Sequence, residues 1–131
     1  MAQVITQQDW IDLGLPGRKS AEVVSGQMGS QSTTLRYVEI PVPQSGDPLR
    51  NMHRHNGIEE VIWVLDGEGV FHTPTQRFSV KGGDVIYVPS QEPHVTRNIA
   101  SRVLKLICFF SHRDVASHTE NLTSNDEEVN L

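Results

Sequence analysis

Residues 53–69 read HRHNGIEEVIWVLDGEG, and the parity of this stretch decides the fold. In an extended chain, residues two apart share a face. His53 and His55 therefore project together, and Arg54 points the other way. Beyond them, Glu60, Ile62 and Val64 share one face of a strand, and Glu59, Val61, Trp63 and Leu65 share the other. Both faces turn apolar after their first residue, which predicts a strand covered on both sides. Glu60 thus heads a buried row. A carboxylate there is costly unless it is paired or bound to a metal. The run Leu65-Asp66-Gly67-Glu68-Gly69 that follows carries a hairpin signal.

Working outward, the same grammar recurs. AEVVSGQ, TTLRYVEIPV, EGVFHT, RFSVKGG, DVIYVP, HVTRNI and RVLKLICFF are short runs rich in Val, Ile, Phe and Tyr, bounded by Gly, Pro, Asp and Asn. This is the pattern of an all-β sandwich or barrel. Lys81-Gly82-Gly83-Asp84 reads as a further turn. Nothing between residues 21 and 110 sustains helical periodicity, and no internal repeat is visible. Residues 1–20 form a lead-in, with a short helix expected over Thr6–Leu13 behind a Thr6 N-cap. Residues 41–48 read as a loop. The barrel is placed at 21–112, and residues 113–131 are expected to be an acidic, mobile tail.

The chain has 131 residues, enough for one domain with its own core. Its net charge is −5, and residues 114–131 hold five acids and no Lys or Arg, so the rest is near neutral. No basic stripe exists, which argues against a nucleic-acid partner. No run approaches the length of a membrane span, and no secretory leader is recognisable at the N-terminus. A cytoplasmic location is expected. The single cysteine, Cys108, lies in an apolar run and reads as a buried thiol.

Downstream, His94 shares a face with Thr96 and Asn98. The full pattern resembles the cupin family. Its first motif is matched by His53, His55, four residues, Glu60, six residues and Gly67. Its second is matched by Gly83, five residues, Pro89, then His94 and Asn98. Two turn positions depart: Asp47 stands at the leading glycine, with Gly46 adjacent, and Gln91 replaces a glycine before His94. The resemblance implies a double-stranded β-helix, or jelly-roll barrel, with His53, His55, Glu60 and His94 as ligands to one divalent transition metal. Fe, Mn, Zn, Ni, Co and Cu all suit three imidazoles and a carboxylate. The alternative is a barrel that has lost its metal, against which all four ligand residues are intact. The resemblance also implies a homodimer, often with an N-terminal strand exchanged, for which residues 21–40 are the candidate.

Parity places Leu104, Leu106, Cys108 and Phe110 inward, Lys105 outward, and one of Arg36 and Tyr37 inward. Trp63 and Phe71 are expected in the sheet-packing core, and His72 as an ordinary strand residue. Tyr87 stays undecided. Arg50 and Arg54 alternate away from the histidines and are read as outer-face or interface residues. His112 and His118 are expected in solvent, and Thr96 or Asn98 could support His94. This mostly apolar lining favours a small, partly apolar organic acid or ring as ligand. The leading reading is a metal-dependent enzyme of dioxygenase, isomerase, lyase or cyclase type, acting on a small molecule. The alternative is a non-catalytic metal or small-ligand module, such as a sensor or accessory protein. No catalytic acid stands out beyond the ligands, since Glu59 faces away from Glu60.

Overall fold

A computed structural model describes residues 1–123. Eleven strands follow in chain order: β1 Ile11–Asp12, β2 Lys19–Val24, β3 Thr34–Ile40, β4 His53–His55, β5 Glu60–Asp66, β6 Glu68–His72, β7 Arg77–Lys81, β8 Val85–Val88, β9 Val95–Asn98, β10 Leu104–Phe110 and β11 Thr119–Asn121. One sheet has the order β1-β2-β3-β10-β5-β8. The facing strands are β7-β6-β9 and β11-β4. An isolated bridge joins these two groups, His53 N–H donating to the His94 carbonyl at 3.0 Å and His94 N–H returning the bond at 2.9 Å. All ladders are antiparallel, and the result is a jelly-roll barrel.

The alternation of β5 and β10 fills the interior. Ile62, Val64, Leu106, Cys108 and Phe110 are buried, with Phe71 and Leu104 beside them. The outer face of β5 differs from expectation. Trp63 is 51% exposed, and Leu65, Val85 and Tyr87 are exposed as well. β5 is covered on one side only, because no layer packs outside the six-stranded sheet among the described residues. Phe71 meets the core expectation and Trp63 does not.

The Asp66-Gly67-Glu68 turn is not a hairpin. β5 pairs with β10 and β8, whereas β6 pairs with β7 and β9. The turn is a corner between sheets. Gly67 has φ +96°, and a Cβ on it would lie 2.8 Å from the Val103 carbonyl, so the chain passes too close for any other residue. The 81–84 turn is the neighbouring corner, tied to the first by Gly82 N–H donating to the Gly67 carbonyl at 3.1 Å.

At the N-terminus, a single 3₁₀ turn over Gln7–Asp9 replaces the expected helix, and the chain extends directly into β1. Thr6 donates to the Asp9 carboxylate through both its N–H and its hydroxyl. β2 and β3 lie within this chain's own sheet. At the other end, Val115 is buried and β11 pairs with β4. Residues 124–131 of the expected tail lie outside the described residues. No helix among the described residues is long and apolar enough to cross a membrane.

Candidate metal centre

The barrel brings His53, His55, Glu60 and His94 together, with one donor atom from each lying within 4.8 Å of the others. β4 supplies the two histidines at spacing two. β5 contributes Glu60 as its first residue, and the bridge to His53 holds His94 alongside. Glu60 Oε1 lies 3.0 Å from His94 Nε2 and 3.3 Å from His55 Nε2. All of these side chains are buried apart from partial exposure at His53.

Hydrogen bonds on the far side of the rings determine which nitrogens face inward. His94 Nδ1 meets the Glu92 carbonyl at 2.8 Å, and a carbonyl only accepts, so Nδ1 carries a proton. His55 Nδ1 meets Thr119 Oγ1 at 2.9 Å, while that hydroxyl donates its one proton to the Val115 carbonyl at 2.8 Å. Thr119 must therefore accept, and His55 Nδ1 also carries a proton. In their neutral forms both rings present an Nε2 lone pair to the Glu60 carboxylate. His55 Nε2 has no hydrogen-bond partner. A carboxylate and two imidazole lone pairs repel unless a cation lies between them, so the donor set fits a divalent metal.

The electrostatics favour an ionised Glu60 and a neutral His53. Burial pushes the Glu60 carboxyl up, but the adjoining His55 and His94 rings outweigh it and hold the carboxyl well below its usual range. Burial, with the neighbouring His94 adding to it, drives His53 well below the usual imidazole value and favours the neutral ligand form. Burial also opposes the charge on His94, but the Glu60 carboxylate beside it more than offsets this and raises the value, so a cation between the two groups competes with a proton there.

A cavity of about 600 Å³ opens onto the four residues. Leu106, Cys108 and Phe110 line it as parity predicts, and Arg36 rather than Tyr37 faces in. Burial pushes the Cys108 thiol well above its usual value, so it is an inert wall. Thr96 lines the cavity, whereas Asn98 clamps the 98–102 turn, its amide donating to the Ile40 and Arg102 carbonyls. His72 is buried away from the cavity lining. His112 and His118 lie against each other, with ring centroids 4.2 Å apart and planes tilted by 50°, outside the lining. Tyr87 is exposed and donates to Glu59.

Three features of the lining depart from the sequence reading. Arg50, expected outside, is half-buried and lines the cavity, because residues 49–52 are not a strand and alternation does not extend to them. Arg18 arrives from the lead-in together with Leu13, Leu15 and Pro16. Thr119 comes from the segment expected to be a tail. The wall is mostly apolar, as expected, but it also carries three guanidinium groups that the sequence reading did not place there together.

A jelly-roll barrel with three histidines and a glutamate converging inside defines a recognisable class. The Cupin_2 cupin-domain model matches residues 37–110, and the chain belongs to that family. Among curated relatives, an uncharacterised protein of Methanocaldococcus jannaschii is 37% identical over 80 residues, covering 58% of this chain and 62% of that protein. An oxalate-binding protein of Thermotoga maritima is 36% identical over 56 residues, covering 43% of this chain and 46% of that protein. The chain thus matches less than two thirds of either relative. Among solved structures, the nucleoside dehydratase Pac13 of Streptomyces superposes with a TM-score of 0.75 at 11% identity, covering 93% of this chain and 92% of that one. At that identity the likeness speaks for the fold alone.

Proposed function

We propose that this cupin is a metal-dependent enzyme. Its small organic substrate enters the barrel and coordinates a divalent ion held by His53, His55, Glu60 and His94. One observation carries the reading: the Nε2 lone pairs of His55 and His94 and the Glu60 carboxylate converge on one point at the wall of a cavity of about 600 Å³. That volume lies within the roughly 300–1,000 Å³ range of small-molecule sites. A metal held by these four residues would supply Lewis-acid or redox chemistry. The protein's own contribution is positional. Glu92 and Thr119 fix the histidine tautomers, and the apolar wall of Ile62, Leu106 and Phe110 keeps water from the bound substrate. Dioxygenase, isomerase, lyase and cyclase chemistry all fit this arrangement, since one barrel hosts many reactions.

A second reading is favoured by one feature of the wall. Among the described residues that line it, Glu60 is the only carboxylate, and there is neither Lys nor Tyr. No side chain outside the ligand set is suited to moving a proton, which suits a binding module as well as an enzyme whose proton transfers involve the coordinated substrate. The relative named as an oxalate-binding protein is in keeping with this alternative.

The deciding experiment is elemental analysis of untagged protein, followed by substrate-dependent turnover and dioxygen uptake with small organic acids. About one metal per chain with turnover supports the enzyme, and one metal with binding only supports the module. No metal under any loading condition overturns both. The homodimer expected from the family likeness is proposed with it. The exposed apolar outer face of Trp63, Val85, Tyr87 and Phe109 supports this, and light scattering in solution tests it.

A further inference from the structure

The cavity that holds the candidate metal ligands also holds Arg18, Arg36 and Arg50. Arg36 is neutralised, its Nε donating to Glu22 Oε2 at 3.1 Å, and its guanidinium sits 5.3 Å from the centre of the Phe110 ring. Arg18 and Arg50 are placed differently. Arg18 Nη1 donates to the Pro16 carbonyl at 2.7 Å, and Arg50 Nη2 donates to the Thr96 carbonyl. Both acceptors are backbone, and no described carboxylate lies within ion-pair distance of either guanidinium. Each guanidinium has five N–H donors, so most remain for a ligand.

The two side chains are held close together. Arg50 packs on the residue next to Arg18, where a Cβ on Gly17 would lie 3.0 Å from Arg50 Cδ. Burial, then the charges of Arg18 and Arg97, pushes Arg50 down to about 10. Arg18 is lowered by burial and by Arg36. Two half-buried cations thus repel inside a chain whose net charge is −5. Among the described residues, no acid stands where these cations need one.

We propose that Arg18 and Arg50 form an oxyanion site, and that the barrel's ligand is an organic acid with two anionic ends. One end coordinates the metal, and the other, a carboxylate or a phosphate, lies on these two guanidiniums. The second half of this inference rests on the metal reading above; the first does not. Guanidinium forks bind planar and tetrahedral oxyanions through paired N–H bonds, more strongly in a partly dry site than in water. The carbonyl anchoring Arg50 belongs to Thr96, two residues from His94, or about 7 Å of extended chain. Two ends held on separate groups call for a carbon chain between them, which the adjoining carboxylates of oxalate lack. The apolar side chains between account for the carbon chain.

Calorimetric titration tests the proposal on metal-loaded protein with acetate, oxalate, succinate, glutarate and phosphoglycolate. Wild type is compared with Arg50→Met and, as a second variant, Arg18→Met. Succinate or glutarate is expected to bind at least tenfold tighter than acetate. Either variant should remove that advantage while metal content stays unchanged. A dominant response to phosphoglycolate would identify the distal group as phosphate. Metal-free protein titrated with inorganic phosphate separates the two readings. Phosphate binding that Arg50→Met weakens at least tenfold supports the oxyanion site even if no metal is ever found. Equal binding of phosphate and of the diacids by wild type and both folded variants overturns the site and leaves the metal reading intact.

Discussion

The cavity is built from two groups of residues that reach it by different means. The candidate metal-ligand group sits on or beside paired strands: His53 and His55 are on β4, Glu60 starts β5, and His94 is locked to His53 by two backbone hydrogen bonds. The arginine group sits between strands: Arg18 just before β2, and Arg50 on the irregular approach to β4. A ladder fixes side-chain direction at every second residue, so ligands placed on it keep their geometry while the connections around them vary. Connecting segments tolerate substitution and carry specificity. The difference suggests a division of labour, with strands setting the class of chemistry and loops choosing the molecule.

The largest expected effect breaks the strand-borne group. His94→Ala or His53→Ala should abolish stoichiometric metal binding, measured by elemental analysis, while circular dichroism still reports a β protein. Full metal stoichiometry in either variant would defeat the ligand assignment. Gly67→Ala comes next. Left-handed φ costs a non-glycine residue about 1–2 kcal/mol, and a Cβ at 2.8 Å from the Val103 carbonyl forces backbone movement on top. A loss of about 2–4 kcal/mol in denaturant unfolding is expected, with metal content of the folded fraction preserved. If instead metal is lost without loss of stability, the corner belongs to the site rather than to the frame.

Thr119→Val sharpens the comparison, because Thr119 belongs to the C-terminal segment yet serves the strand group. Removing its hydroxyl leaves His55 Nδ1–H without an acceptor and frees the ring to turn. Such supporting contacts are typically worth 10–100-fold in metal affinity. Chelator competition should show a fall of that size, and Thr119→Ser should restore it. Unchanged affinity would mean that packing against Phe110, 5.1 Å away between ring centres, orients His55 unaided.

The two groups also differ in how far they could be read from the chain. His53, His55, Glu60 and His94 were legible because parity and motif spacing survive translation into strands. Arg50 was misplaced because alternation was carried across 49–52, where no strand exists. Arg18 and Thr119 lie in segments without apolar runs, and short-range patterns do not reveal that such segments return to the barrel. The Asp66-Gly67-Glu68 turn failed for a related reason. A tight turn announces that the chain reverses, but the sheet its next strand joins depends on distant partners. Trp63 shows the limit on burial: an apolar face predicts a cover only if some other layer is present to supply it.

The smallest effect concerns Gln91, where the chain departs from the family's glycine just before His94. Gln91 has φ +70°, the one positive value on a non-glycine among the described residues. Its N–H donates to the His55 carbonyl at 2.9 Å, so the neighbouring structure holds it in a conformation it would not choose. Relieving a left-handed residue gains about 1–2 kcal/mol, and glycine returns about 0.5–1 of that through the greater freedom of the unfolded chain. Gln91→Gly should therefore stabilise the protein by about 0.5–1 kcal/mol, a rise in Tm of about 2–4 °C at this size. Metal affinity should not change, since the backbone bond to His55 needs no side chain. A stabilised variant with weakened metal binding would point the other way. The strain at Gln91 would then be transmitted through the His55 carbonyl to the ligand ring, and a loop residue would be shaping the strand-borne group.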